Sequence, residues 1–565
     1  MSPEMPNINS RSLVKTILVA VLIVSFTALL NIIQIVFLSL SLRNDFVDWN
    51  ANLSVEVREE IIRSSVDDLQ ALSKSLETPM AEVLFSVIGQ RENSTGIATT
   101  VKYSAEFIED MAPLIAEVSL LNKDELIIDA LHRNLPSIVL NAGKLDQAIS
   151  ALNRVNWSSV PLLQEKGIVL ESKTSLISDV WGKNYQSIGS WTSLLGANQP
   201  KRYFVALQNS AQARGTGGMP GTFAIIELVR GKVNVLRTGT NAELRSAASV
   251  PIDVPDEFSQ IYGNYPANWN PSNLSPHFPY AAQIWLALWK AQTGETLDGA
   301  IAVDPFVLAS MLEATGEIEV YGKVLRSNNT VEELLSNSYK EYEFDNQKRK
   351  NFLAEVALTF GRKLQQDSLN SRGLLSSLLE PLSENRVLIY SKEKVLQEIL
   401  EEAAISGSLN YRNKNDFRAI VLNTSGNKMD FYLERKLSIE TLSCRPNKTK
   451  VTFDLYLNID PNEKLSDYVN GRRDLGLTGG VGNRHGIAVL IFGPKGSSII
   501  VEESDIPKNY LSELGRPVWL QYADLSPRMS QQFKVIFSGG KGSITTSTQP
   551  LVKPQKISIT DSCRR

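Results

Sequence analysis

Three spacings of hydrophobic residues succeed one another along the 565-residue chain, and each is typical of a different structure. The first is continuous, because the 27 residues from Thr16 to Leu42 contain no charged side chain. A helix needs ~20 apolar residues to cross a bilayer, whereas the apolar region of a secretory signal peptide has about 7–15. We therefore predict an uncleaved transmembrane anchor over residues 16–42, with a cleaved signal peptide as the alternative.

Charges on either side of the predicted anchor indicate its orientation. Arg11 and Lys15 precede it, and Arg43 is followed closely by Asp45. Because cytoplasmic flanks carry an excess of Lys and Arg, we place residues 1–15 in the cytoplasm. The protein is then expected to span the plasma membrane once, with the bulk of its chain extracytoplasmic.

Beyond the anchor, apolar residues recur every three or four positions, which is the spacing of one helix face. Phe107, Met111, Leu114 and Val118 show this spacing clearly. The pattern predicts an antiparallel helical bundle or stalk over residues 43–198. A coiled-coil dimer is the alternative, although no apolar seam continues for the three or four heptads that indicate one.

Strand and helix signals alternate over residues 199–410, which predicts an α/β core domain. Asp304 precedes Pro305 and is placed to cap a helix that Gly316 ends. The sequence IEVYGKVL at 318–325 then predicts a hairpin.

Over residues 411–565 the period of the pattern falls to two. Val451, Phe453 and Leu455 alternate with polar or charged residues, as in a strand with one buried face. This region is predicted to be a β-sandwich domain. The predicted fold class is therefore multidomain, with a transmembrane helix, a helical stalk, an α/β core and a C-terminal β-sandwich.

Composition is that of a folded protein, with 43% hydrophobic and 21% charged residues. The net charge of −3 creates no general attraction for nucleic acid, and no basic patch with interleaved aromatic residues is present in the sequence. The sequence contains no Walker A loop and no HExxH motif. Because His132, His277 and His485 are scattered, we expect no metal centre and no cofactor. A carboxylate-bound Mg²⁺ is the alternative, without sequence support.

The two cysteines, Cys444 and Cys563, both lie in the last quarter of the chain. In an oxidising compartment, such a pair forms a disulfide. Two separate buried thiols are the alternative.

The best candidate site is the loop of Arg214, which lies between two apolar runs in the sequence RYFVALQNSAQARGTGGMPGTFAIIELV. Gly215, Gly217 and Gly218 allow backbone amides to turn toward an anion. Arginine adds a planar set of donors that matches phosphate. The alternative is a tight loop whose arginine forms a salt bridge within the fold.

Segments around and beyond this loop resemble a family of anchored bacterial envelope proteins known as domain of unknown function 4012. The resemblance covers about residues 200–500 and rests on five segments: ALQNSAQARGTGGMPGTFAIIELVRGKV, NWNPSNLSPHFPYAAQIW, LDGAIAVDPFVLASMLEATGEIEV, NKMDFYLERKLSIE and NRHGIAVLIFGPKGS. It implies a single-pass protein of the bacterial cell envelope.

The order of segments is also similar to that of the LytR–CpsA–Psr phosphotransferases, which attach glycopolymers from polyprenyl-pyrophosphate carriers to the bacterial wall. Carried over by position, Arg214, Arg237 and Arg349 would contact the pyrophosphate. That family has an aspartate two residues after the loop arginine, where this chain has Thr216. Its next arginine–aspartate pair corresponds to Arg237 and Thr238 here.

These observations lead to one main hypothesis and two alternatives. The main hypothesis is a membrane-anchored extracytoplasmic protein that binds a phosphate-bearing or polyprenyl-linked glycan during envelope or surface polymer assembly. The first alternative is a non-enzymatic scaffold that binds partner proteins, or a second copy of itself, in a surface or secretion assembly. The second is an active phosphotransferase-like glycopolymer ligase, which the missing aspartates disfavour, and no catalytic residue is assigned.

Overall fold

A computed structural model describes residues 192–244, 252, 254–263, 269–365, 377–409, 415–471, 483–500 and 511–563, together with scattered positions between residues 66 and 151. The chain divides into two compact units. In the first unit, residues 102–110 are helical, and Phe107 is buried. The second unit comprises Lys201–Leu228, Val233–Gln366 and Ser377–Arg565.

A five-stranded mixed sheet opens the second unit. Its strands are β1 (Lys201–Arg214), β2 (Gly217–Val229), β3 (Lys232–Thr240), β4 (Gly299–Val303) and β7 (Leu388–Ser391). The strand order is β3-β2-β1-β4-β7, with β1 antiparallel to β2 and parallel to β4. The central position of β1 explains why its apolar residues are buried on both faces.

Aromatic side chains fill the core beside this sheet, where α1 (Asp256–Tyr262) and α2 (Phe278–Thr293) contribute residues to the same cluster. The ring of Phe204 packs against those of Phe223, Trp285 and Trp289, with centroids 5.2, 6.1 and 6.1 Å apart. Such rings bury a large apolar area for each residue. They fix α2 against β1 at the centre of the sheet.

A helical layer with a small hairpin follows β4. The Asp304 carboxylate caps the first of these helices by accepting from the amides of Phe306 and Val307, as the sequence predicts. The predicted hairpin at 318–325 is also present. The elements are α3 (Pro305–Thr315), β5 (Ile318–Val320), β6 (Lys323–Leu325), α4 (Thr330–Glu332), the π-helical turn Glu333–Asn337, α5 (Ser338–Glu341), α6 (Asn346–Leu364), α7 (Leu379–Ser383) and α8 (Lys394–Glu402).

Two further five-stranded sheets enclose one apolar core, with the orders β12-β15-β10-β9-β17 and β13-β14-β11-β8-β16. Leu437 and Phe453 enter this core from one sheet, and Val421 and Val489 enter it from the other. The elements are β8 (Asp416–Asn423), the 3₁₀ helix Met429–Tyr432, β9 (Leu433–Cys444), β10 (Asn447–Leu457), α9 (Asp467–Asn470), β11 (His485–Phe492), β12 (Ser498–Ile500), β13 (Leu511–Glu513), β14 (Arg516–Leu525), β15 (Ser530–Ser538), β16 (Thr545–Thr546) and β17 (Gln555–Thr560).

The end of β1 belongs to this second core as well. Ala213 lies fully buried among the residues of the two C-terminal sheets. Its amide donates to the carboxylate of Asp430 at 2.9 Å, and the side-chain amide of Gln549 donates to the carbonyl of Arg214 at 2.7 Å. One strand therefore contributes to two cores, and the described residues of the second unit do not fold as a linear series of independent layers.

The predicted fold class is wrong for the described part of the chain. These residues form a mixed α/β structure of several sheets and few helices, without a clear helical stalk. No helix among them is long and apolar enough to cross a membrane. Apolar spacing identifies single helices but not their partners, and the shared strand β1 joins regions that the prediction kept apart. The predicted anchor at 16–42 lies outside the described residues.

The predicted disulfide is present. Cys444, at the end of β9, and Cys563, just beyond β17, are bonded, with Cα atoms 5.7 Å apart. The disulfide joins β17 to its parallel neighbour β9. The alternative of two separate thiols is therefore wrong.

The carboxyl group of Glu513 joins β13 to the segment before α2. It is fully buried and accepts hydrogen bonds from the hydroxyl groups of Tyr262, at 2.7 Å, and Ser275. Burial raises its pKa to about 7, and the nearby Glu257 adds to this rise, while the two hydrogen bonds and Arg516 oppose it. A single buried carboxyl group thus takes up its proton in the neutral range.

We expect the Glu513→Gln variant to be more stable than the wild type at pH 8 by up to ~3 kcal/mol, since each pKa unit is worth about 1.4 kcal/mol. The folded pKa of about 7 lies above the unfolded value. The stability that the proton supplies is therefore complete below the unfolded pKa and is lost as pH rises through the folded pKa. Urea unfolding at pH 5, 6.5 and 8 would measure this, with Glu398→Gln as an exposed control. A difference that is the same at all three pH values would contradict the assignment.

Candidate binding cleft

The structure places Arg214, the central residue of the predicted site, inside the protein. Its side chain is 8% exposed, and Nη1 donates to the carbonyl oxygens of Ala213 at 2.9 Å and Asn423 at 3.1 Å. Here the guanidinium joins the end of β1 to the end of β8. The anion site predicted at this loop stays a prediction.

Close packing accounts for the glycines of the loop. A Cβ atom on Gly215 would lie 2.2 Å from the carbonyl oxygen of Leu274, and one on Gly218 would lie 2.1 Å from the backbone of Asn209. Gly217 has φ +128°, which residues with a side chain rarely adopt. Gly215 and Gly218 are therefore explained by the approach of neighbouring backbone, and Gly217 by its conformation.

The other two predicted arginines lie in separate environments. Arg237 is half-exposed, pairs with Glu243 at 3.1 Å and lies over the ring of Trp289. Arg349 in α6 is buried, and its guanidinium lies 4.2 Å from the ring centre of Tyr339. Within the described part of the chain, these two arginines and Arg214 share no hydrogen-bond partner.

An open cleft of about 430 Å³ lies beside Tyr339, between the helical layer and the C-terminal sheets. The π-helical turn and α5 form one wall, and the segment before and within α9 forms the other. The short 3₁₀ helix closes the base. The lining residues are Leu335, Ser336, Lys340, Glu343, Lys428, Phe431, Tyr432, Glu463, Lys464, Leu465, Ser466, Asp467 and Val469.

The π-helical turn shapes the first wall of the cleft. Leu335 and Ser336 lie within it and line the cleft. A single π turn widens a helix locally, and such turns are frequent at functional sites. Here the turn leads directly into α5, whose Lys340 lines the cleft.

The lysines of the cleft differ in their surroundings. Lys428 is buried, and its ammonium group donates to Gln212 Oε1 at 2.6 Å and to the carbonyl of Gly426 at 3.1 Å. Lys340 and Lys464 are exposed, and within the described residues neither lies within 4.0 Å of a carboxylate. Exposed cations without such a partner can attract an anion.

Acidic and hydroxyl groups complete the lining. Glu343 Oε1 accepts from the amide of Asp467 at 2.9 Å, which ties the two walls together. Glu463 and Ser466 lie along the second wall. Oxygen acceptors and hydroxyl groups of this kind bind the hydroxyl groups of a sugar.

A buried carboxylate fixes the base of the cleft. Asp430 Oδ1 lies 3.0 Å from Nε2 of His485, and Oδ2 accepts from the amide of Ala213 and the side chain of Asn423. Burial alone would raise the pKa of Asp430, but His485 and these donors outweigh it and lower the pKa below its usual value. Asp430 lies in the 3₁₀ helix that carries Phe431 and Tyr432 to the cleft.

Sequence reasoning did not find this cleft. Lys428 and Tyr432 lie in the segment NKMDFYLERKLSIE, which supported the family resemblance without marking either residue as functional. Lys340 and Tyr468 belong to no recognisable motif. Only the packing of segments distant in the sequence brings them together.

No metal centre is visible among the residues that the structure describes. They contain no group of three or more His, Cys, Asp or Glu side chains arranged to hold an ion. Of the acidic residues that line the cleft, Glu343 is engaged in the hydrogen bond that joins its two walls.

We predict that Asp430→Asn lowers the free energy of unfolding by about 3 kcal/mol at pH 7, because donors to a buried carboxylate are costly to leave without their acceptor. An amide offers one acceptor atom where the carboxylate meets three donors. The folded pKa of Asp430 is lowered, so its contribution is present above the unfolded pKa and is lost as pH falls through the folded pKa. Urea unfolding at pH 7 and pH 3 measures the change, with exposed Asp524→Asn as control. Equal stability of Asp430→Asn and the wild type at pH 7 would refute the assigned role.

Comparison with known proteins gives one match. Residues 198–339 match the family model described as Protein of unknown function (DUF4012). The search of curated proteins and the search of solved structures found nothing that matches. The matched segment begins just before β1 and ends at Tyr339, beside the cleft. The resemblance inferred from the sequence is thus confirmed over residues 198–339, where the chain carries a DUF4012 domain, and its extension to about residue 500 stays a prediction.

Proposed function

We propose that the protein binds a phosphate-bearing glycan in the cleft between α5 and α9, and that it does so outside the cytoplasm during assembly of an envelope or surface polymer. The observation that carries the proposal is the pair of exposed lysines, Lys340 and Lys464. They lie on opposite walls of the cleft and have no carboxylate partner among the described residues.

Two buried arginines elsewhere in the same unit, each paired with a carboxylate, provide a comparison that supports this interpretation. Arg386 pairs with Asp304 at 2.6 Å, and Arg516 pairs with Asp416 at 2.8 Å. Buried charges are normally compensated in this way. Lys340 and Lys464 on the walls of the cleft have no carboxylate partner among the described residues. This favours binding of a ligand that supplies the negative charge.

The size and composition of the cleft support a sugar as the rest of the ligand. Its volume of about 430 Å³ falls within the range of small-molecule sites, which is roughly 300–1,000 Å³. Tyr432 and Phe431 offer aromatic surface, and the acidic residues and Ser466 offer hydrogen bonds. Phosphate would meet the lysines while the sugar ring meets these groups.

The disulfide supports a location outside the cytoplasm. Cys444 and Cys563 are the only cysteines of the chain, and they are bonded to each other. Structural disulfides persist in oxidising compartments and are rare in reducing ones. This agrees with the bacterial envelope location that the family resemblance implies. The proposal is one of binding, and we assign no reaction to the cleft.

We expect glucose 1-phosphate to bind the wild type and glucose to bind much more weakly. Each of Lys340→Ala and Lys464→Ala should weaken binding of glucose 1-phosphate by roughly 3- to 5-fold, as for exposed ion pairs worth up to about 1 kcal/mol. The loss should shrink at high salt, because ions screen exposed charges. Isothermal titration calorimetry at low and high salt measures both effects.

Lys394→Ala is the matched control for these variants. This exposed lysine in α8 lies 4.0 Å from Glu398 and does not line the cleft. Its substitution should leave the affinity unchanged. Equal affinity of the wild type for glucose and glucose 1-phosphate would overturn the proposal and favour the alternative of a protein-binding scaffold.

A further inference from the structure

Two tyrosines and two cations form a stack behind the cleft. The rings of Tyr339 and Tyr468 lie with their centres 5.5 Å apart and their planes inclined by 32°. The guanidinium of Arg349 lies 4.2 Å from the first ring and 5.3 Å from the second. On the same two rings, Lys428 Nζ lies at 5.8 and 5.7 Å. All four distances are within the ~6 Å range of cation–π attraction.

The stack joins both walls and the base of the cleft. Tyr339 lies in α5 directly before Lys340, and Tyr468 lies in α9 directly after Asp467. Lys428 comes just before the 3₁₀ helix at the base. Each member of the stack except Arg349 is therefore a lining residue or its immediate neighbour.

Among the described residues, Arg349 reaches the cleft through these two rings. It lies in α6, is 7% exposed and does not line the cleft. Its Nη2 donates to Asn346 Oδ1 at 2.8 Å, and within the described residues it lies within 4.0 Å of no carboxylate. A guanidinium held without a carboxylate and facing two tyrosines is suited to stacking, which the flexible, compact ammonium of lysine does poorly.

The first ring of the stack is itself held from the sheet. The hydroxyl group of Tyr339 accepts a hydrogen bond from the side-chain amide of Asn209 in β1. Burial raises the pKa of this hydroxyl group, although Arg349 opposes the rise. Tyr339 is thus a fixed surface, and the guanidinium of Arg349 lies over both its ring and the ring of the more exposed Tyr468 on the opposite wall.

We propose that Arg349 is a positioning residue of the cleft, which holds the wall of residues 463–469 at a set distance from α5 by stacking on Tyr339 and Tyr468. The role for the ligand rests on the proposed function, because a preset distance between Lys340 and Lys464 lowers the ordering cost of binding one phosphate group. The stacking role is a property of the protein alone and is testable without ligand.

Hydrogen exchange of the unliganded full-length protein, followed by mass spectrometry, tests the stack directly. In Arg349→Ala, amides of residues 464–470 should exchange about 10-fold faster, while amides of β10 and β11 keep the wild-type rate. Arg349→Lys should resemble Arg349→Ala, because it keeps the charge but loses the planar face. Lys348→Ala, an exposed neighbour in the same helix, should exchange as the wild type does. Unchanged exchange in Arg349→Ala would overturn the proposal.

Two substitutions of Tyr468 distinguish a role for its aromatic face from a role as apolar bulk alone. Tyr468→Phe keeps the aromatic face and should bind glucose 1-phosphate with wild-type affinity. Tyr468→Leu keeps apolar bulk but loses that face, and it should bind about 3-fold more weakly, which is no more than the loss of a lysine itself. Equal affinities of the two variants would overturn the positioning role. If the wild type itself fails to bind, the proposed function falls, and the exchange experiment still decides whether the stack holds the wall.

Discussion

The buried carboxylate of Asp430 is the interaction on which the second unit depends. It receives the amide of Ala213 at the end of β1, the side chain of Asn423 at the end of β8 and Nε2 of His485 at the start of β11. A buried carboxylate is tolerated only when donors surround it. Three strands from distant parts of the sequence must therefore converge on this one residue, which joins the first sheet to the C-terminal sheets.

The same constraint produces the cleft. Because Asp430 cannot move without losing its donors, the 3₁₀ helix that contains it is fixed, and with it Phe431 and Tyr432 at the base. Lys428 comes just before this helix and is bound to Gln212 in β1. The cleft lies where the π-helical turn and α5 of the helical layer pack beside this base. The widened π-helical turn lies at the point of approach.

Local features of the fold were predictable from the sequence, and its assembly was not. The Asp304 cap, the hairpin at 318–325 and the disulfide of Cys444 and Cys563 each follow from a short pattern or a single available partner. The fold class failed because apolar spacing reports burial but not which element supplies the cover. Close packing and backbone conformation account for the glycines around Arg214, and the anion site predicted there stays a prediction. The lysines and tyrosines of the cleft lack any motif.

Arginine serves two physical roles in this unit, and the difference between them bears on function. Arg386 and Arg516 neutralise buried carboxylates, and Arg214 satisfies backbone carbonyl groups at the ends of two strands. These contacts use the donors of each side chain within the fold. Arg386 also lies over the ring of Phe306, but Arg349 faces two tyrosines and has no carboxylate partner among the described residues, so its ring contacts stabilise the cation without neutralising it. In the proposed binding of a phosphate-bearing glycan, its positive charge would therefore add to that of the exposed lysines of the adjacent cleft.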